Sequence, residues 1–207
     1  MNDQISTLRD DIAFMRELAE EGRSPPLVGG FLLVAAGLVF GLASIGHWAI
    51  ATGLVSESPS SYLTIWGGAL AVFLACVVVV KSRQALKPGA HAPGNRAAGM
   101  AWAGVGWGIM CLMVCMNLVC WRAHSLVPLM LLPSMVLTLY GLGWSVAAVV
   151  SRQRWIWLVA IGSYVGAAVA AYFSDTNTVY LIYAAALTLL LTLPGAILMR
   201  QEPSLIV

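Results

Sequence analysis

The chain has 207 residues, 60% of them hydrophobic and only 10% charged, with a formal net charge of +2. That balance excludes an ordinary soluble domain, which could not hide so much apolar surface from water, and points to lipid as the solvent for most of the chain. The positive charge is too small and too scattered for a nucleic-acid surface.

Residues 1–24 differ from everything after them. Asp3, Asp10, Asp11, Glu17, Glu20 and Glu21 lie here, opposed by Arg9, Arg16 and Arg23. Ile5, Leu8, Ile12, Met15 and Ala19 recur at alternating spacings of three and four, which predicts an amphipathic helix with an apolar stripe in heptad phase. Gly22 and the Pro25-Pro26 pair stop that helix before the first apolar run. A helix that lies on a membrane is rich in Lys and Arg, whereas this one is acidic. A protein contact is expected instead, with a partner or with a second copy in a homo-oligomer, through Ile5, Leu8, Ile12 and Met15. The competing expectation is a helix folded back on the cytoplasmic loops.

Residues 25–207 predict a six-span transmembrane bundle. A spanning helix needs about 20 mostly apolar residues. Six windows meet that need: residues 28–50, 63–80, 98–119, 126–150, 155–173 and 179–199. The first is too long, and starts too far along the chain, for a cleaved signal peptide. The fold class expected is therefore an all-α integral membrane protein in contact with the lipid bilayer. No Asp, Glu, Lys or Arg falls deep inside any window, whereas ion paths, proton relays and intramembrane catalysts usually need one.

The basic residues predict the orientation. Arg9, Arg16 and Arg23 precede span one. Lys81, Arg83, Lys87 and Arg96 lie between spans two and three, Arg152 and Arg154 between four and five, and Arg200 after span six. Only Arg122 falls on the other side. Cytoplasmic loops are enriched in Lys and Arg, so both termini are expected in the cytoplasm of a multi-pass inner-membrane protein. Trp48, Trp66, Trp121, Trp155 and Tyr180 stand near span ends, where amphipathic rings favour the interface. Spans two, four and six each end in a basic residue followed closely by Gln, which reads as three helical hairpins in tandem; the positive-inside rule alone also predicts basic stops there.

Small residues mark close helix contacts in lipid. Gly30, Gly37, Gly41 and Ser44 share one side of span one. Gly104, Gly108, Cys111 and Cys115 form a stripe on span three, and Gly162, Gly166, Ala170 and Ser174 one on span five. These stripes predict a compact bundle with the odd-numbered spans inside. Pro128 and Pro133 in span four, and Pro194-Gly195 in span six, predict bends whose freed carbonyls are satisfied by neighbours.

Chemistry-bearing clusters are sparse. Met113, Asn117, Cys120 and, if the helix persists, His124 recur at i, i+4, i+7 and i+11 on span three, with His47 ending span one on the same side. Thioether, thiolate and imidazole suit soft metals, so His47, Met113, Cys120 and His124 are the candidate metal or redox ligands. The alternative is ordinary lipid-phase packing. Cys76 and the other cysteines lack CxxC spacing. Ser145 has no intramembrane base to activate it, and neither catalytic residues nor a cofactor are expected. The leading expectation is a non-catalytic structural, assembly or regulatory membrane component that engages a partner through its N-terminal helix. The rival is a passive transporter or channel for a neutral solute, its path lined by Asn117, Ser134, Thr138, Tyr140, Ser163, Tyr164 and Tyr183. A metal or redox protein is the third.

Overall fold

The computed structural model describes residues 12, 15, 26–55, 58–84 and 92–202, without the side chains of 59 and 81–84. Among these the chain is helical, with no strand. Six helices are long and apolar enough to cross a membrane, as in a multi-pass membrane protein. They are α1 (Gly30–Ala51), α2 (Pro59–Gln84), α3 (Pro93–Ala123), α4 (Leu132–Ser151), α5 (Arg154–Tyr172) and α6 (Thr178–Gln201). In lipid a backbone must satisfy its own polar groups, and a helix does so within one segment. A five-residue 3-10 turn, Val127–Leu131, leads into α4. Pro133 therefore stands in the first turn of α4, where its missing N–H costs no helical bond.

α3 runs to 31 residues, about 46 Å at 1.5 Å per residue, well beyond the ~30 Å of a hydrocarbon core. Apolarity located only its centre. Asn95 and Arg96 at its start and Arg122 at its end belong to the same helix. The helix stops at Ala123, because His124 takes a left-handed conformation with φ of 49°.

The helices pack in a folded row. α2 lies on α1, α1 runs the length of α6, α6 meets α5 and touches α4, α4 packs broadly on α5, and α3 packs on α4. The start of α1, the α2–α3 and α4–α5 connections and the end of α6 lie at one end, here called basal. Burial corrects one expectation: the centre is not made of the odd-numbered spans. Within the apolar windows α4 and α6 are 39% and 44% buried, against 28% for α1 and α5, 11% for α3 and 6% for α2. Large side chains of the even helices fill the middle, with Trp144, Leu137, Leu187 and Leu191 at most 1% exposed. Glycine content alone does not say what a helix faces. A Cβ added at Gly99, Gly104 or Gly106 of α3 would meet nothing.

The tightest seam joins α1 to α6, antiparallel. A Cβ at Gly30 would come within 2.5 Å of the Gly195 carbonyl oxygen, and one at Gly195 within 2.8 Å of that of Gly30. A Cβ at Gly37 would collide with the Thr192 hydroxyl. Gly41 faces Ala184, and Ser44 Oγ donates to the Tyr180 carbonyl at 2.8 Å. Such close approach supplies the dispersion and weak Cα–H···O contacts that replace hydrophobic burial in lipid. At Gly37 the hydrogen in the Cβ position points at Thr192 Oγ1, which has no other partner among the described residues.

α6 is not a regular helix throughout. Thr188–Thr192 form a π-helical turn just before Pro194. The cause is local: Pro194 has no N–H for the carbonyl of Leu190 four residues earlier, and its ring crowds that carbonyl. The freed oxygen does not stay unsatisfied. The indole Nε1 of buried Trp144, on α4, donates to it at 2.9 Å. One tryptophan thus fills the core and closes the bonding gap of a neighbouring helix.

Candidate functional site

Two built clusters stand out, one at each end of the bundle. The basal one is the junction through which the N-terminal segment enters the helical bundle. Leu27 is buried, anchoring the chain. Gly29 then adopts φ of 123°, a region that a side chain would make costly. This turn aims the N–H groups of Gly29 and Gly30 at one carboxylate oxygen of Glu202, at 2.8 and 2.7 Å. α1 has no side-chain cap of its own. Its orphan N–H groups and the positive end of its dipole are met by an anion that follows α6. One step earlier, buried Asn95 of α3 reads the same strand of chain. Its Oδ1 accepts from Val28 N–H and its Nδ2 donates to the Pro26 carbonyl, both at 3.1 Å. The root of the N-terminal segment is thus clamped by α3 and by the end of α6.

The strength of this clamp is testable. A charge-assisted hydrogen bond contributes about 1.5–3 kcal/mol and a helix cap about 1 kcal/mol. We expect Glu202→Ala to lower bundle stability by about 2 kcal/mol, and Glu202→Gln, which keeps an acceptor but not the charge, by about half as much. Thermal midpoints in detergent measure both. Midpoints equal to the parent for both variants would contradict the cap.

The other cluster gathers around His47 near the far end of α1. Its ring stacks on Tyr180 of α6 with centroids 3.7 Å apart and lies 4.7 Å from that of Tyr62 on α2. Trp66 Nε1 donates to His47 Nδ1 at 3.0 Å. Nearby, Asn177 Nδ2 donates to the Ala51 carbonyl at 3.1 Å, tying the start of α6 to the end of α1. His47 therefore joins three helices and has one ring nitrogen already engaged.

The residues singled out by sequence are distributed as follows. Ile5 and Leu8 lie outside the described residues. Ile12 and Met15 are helical and 61% and 68% exposed. The metal candidates are not brought together. His47 sits among α1, α2 and α6, whereas Met113 and Cys120 are on α3, at the other edge of the row. Cys120 is buried and His124 exposed, and the left-handed turn at His124 takes it off the helical face that it was expected to share. Among the described residues no three His, Cys, Asp or Glu side chains are grouped closely enough to hold a metal ion. Of the glycines, Gly37 and Gly41 lie on α6. A Cβ at Gly108 would reach Leu139 at 3.3 Å, one at Gly162 would reach Leu190 at 3.0 Å, and one at Gly166 would have ordinary contact distance to Leu137 and Leu190 at 3.6 Å. Gly104 faces open space.

The polar groups proposed for a solute path mostly bond within their own helices. Asn117 donates to the Met113 carbonyl, Ser134 to Leu131, Thr138 to Ser134 and Ser163 to Val159. Tyr140 and Tyr183 hydrogen-bond to each other in the core. Tyr164 lies over Gly141 and meets Ser145 at 3.3 Å. Sequence reasoning missed Asn95 and Glu202. Their signal was present as an Asn and a Glu just beyond apolar windows, beside the Gly29-Gly30 pair. What links them is tertiary.

Comparison with protein-family models, with curated proteins and with solved structures returns no match for this chain.

Proposed function

We propose that the protein is a non-catalytic membrane component, structural or regulatory in role, which presents its N-terminal helix to a protein partner on the cytoplasmic side. The observation that carries this reading is the exposure of Ile12 and Met15. They are apolar residues three apart in sequence, each helical and each exposed. An amphipathic helix with an uncovered apolar stripe is suited to pair with another helix or to enter a groove. The clamped root supports the same reading, because a contact element held at its base loses less freedom on binding. The internal bonding of the bundle's polar groups favours a filled scaffold over a solute path.

Removing residues 1–22 is expected to leave an inserted, folded bundle and to abolish a protein–protein contact. Chemical cross-linking and co-purification from membranes, full-length against truncated, test it. Identical partners and oligomeric state in both would reduce the arm to a tether.

The basal end is assigned to the cytoplasm on the Lys/Arg distribution. Reporter fusions after Gln84, Gln153 and Val207 should report cytoplasm, and those after Pro59, His124 and Asp175 the opposite side. A cytoplasmic signal at Pro59 together with an external one at Gln84 inverts the assignment.

A further inference from the structure

The lipid-facing side of α4 carries a shallow groove of about 250 Å³ lined by Ser145, Val146, Val149 and Val150. Its lining is apolar, and Val149 is 64% exposed. One flank is set by Tyr164 of α5, whose hydroxyl meets Ser145. On the other flank α3 begins close by, since a Cβ at Gly94 would lie 2.9 Å from a Val150 methyl. The groove descends from the basal end. Beyond Val150, at the α4–α5 turn, Arg152 caps the end of α4 and Arg154 begins α5, and both are exposed. The turn is held in shape: Ser151 Oγ donates to the Ala147 carbonyl at 2.6 Å, and Trp155 Nε1 donates to Gln153 Oε1 at 2.6 Å.

We propose that this groove is a binding site for one anionic phospholipid, with its phosphate on Arg152 and Arg154 and the upper part of an acyl chain against Val146 and Val149. Charge complementarity selects the occupant. Two exposed arginines just beyond the basal end of an apolar groove match a molecule that is anionic at one end and hydrocarbon at the other. The dimensions agree: Val146 lies six residues below Arg152, about 9 Å along the helix, the span from a lipid phosphate into the first part of its chain.

Native mass spectrometry of the full-length protein, titrated in non-ionic detergent with phosphatidylglycerol or phosphatidylcholine, tests it. One phosphatidylglycerol should bind in preference to phosphatidylcholine. Arg152→Gln with Arg154→Gln should weaken it about thirtyfold, from about fivefold for each cation at a membrane surface, and erase the preference. Arg152→Lys with Arg154→Lys should retain the preference, which separates lost charge from a damaged turn. Val146→Asn with Val149→Asn should weaken both lipids. Arg200→Gln, at the same end but on α6, should change nothing. An unchanged preference in the double Gln variant overturns the site. So does an equal loss with Arg200→Gln, which would mean a diffuse basic rim.

Discussion

Gly37→Leu should unfold or rearrange the bundle. At Gly37 the backbone of α1 stands against the π-turn of α6, where an added Cβ meets the Thr192 hydroxyl and lies 2.9 Å from Thr192 N and 3.0 Å from the Leu187 carbonyl oxygen. Two of these three obstacles are backbone, which cannot swing aside like a side chain. Overpacking of an ordinary core costs about 1–3 kcal/mol. Here the two most intimately packed helices must part, so a loss beyond that range is expected, seen as a large drop in thermal midpoint in detergent. The contrast variants matter as much. Gly166→Ala fits ordinary contact space at 3.6 Å and should be mild, while Gly104→Leu enters open space and should be silent. A Gly37→Leu protein as stable as the parent would show that the α1–α6 seam is not the tight contact described.

Trp144 is the second position of large effect. Its ring is fully buried and meets Trp102 edge-on at 5.2 Å. Its N–H satisfies the Leu190 carbonyl that Pro194 cannot serve. Trp144→Ala removes both volume and bond and should cost about 3–5 kcal/mol. Trp144→Phe keeps most of the volume but leaves a buried carbonyl without its donor, and should cost about 1–3 kcal/mol. Replacing Pro194 by Ala in the Trp144→Phe background restores an N–H four residues after Leu190 and should recover part of the loss. Chemical denaturation of the four proteins in mixed micelles measures the cycle. Additive effects of the two substitutions would show that the indole is packing only, with no coupling to the proline break.

The spans were legible because their signal is local. Some 20 apolar residues bounded by Arg, Lys and Gln leave little choice in lipid, and four of the six helices begin or end within two residues of the apolar windows. α3 was read short because Asn95, Arg96 and Arg122 are polar, although they continue the same helix. The α1 row Gly30, Gly37, Gly41 and Ser44 was visible as a stripe, and it lies along α6. The similar row on α3 does not face a helix at Gly104. Spacing states that a small residue is present, while only tertiary structure states what approaches it. The π-turn and the Trp144 bond were hidden for the same reason. Pro194 announces a missing donor, but nothing local says that a tryptophan 46 residues away in sequence supplies it. The clamp on the arm's root is likewise non-local, joining Gly30 to a carboxylate 172 residues later.

The proposal that the arm carries a partner contact is tested most directly by replacing Leu8 and Ile12 together with Asp in the full-length protein. Charge on the apolar stripe opposes helix pairing without removing the arm. Cross-linked species should be recovered from membranes containing the parent and lost in the double variant, with thermal midpoint and insertion unchanged. Recovery of the same species at the same yield from both proteins would contradict the account.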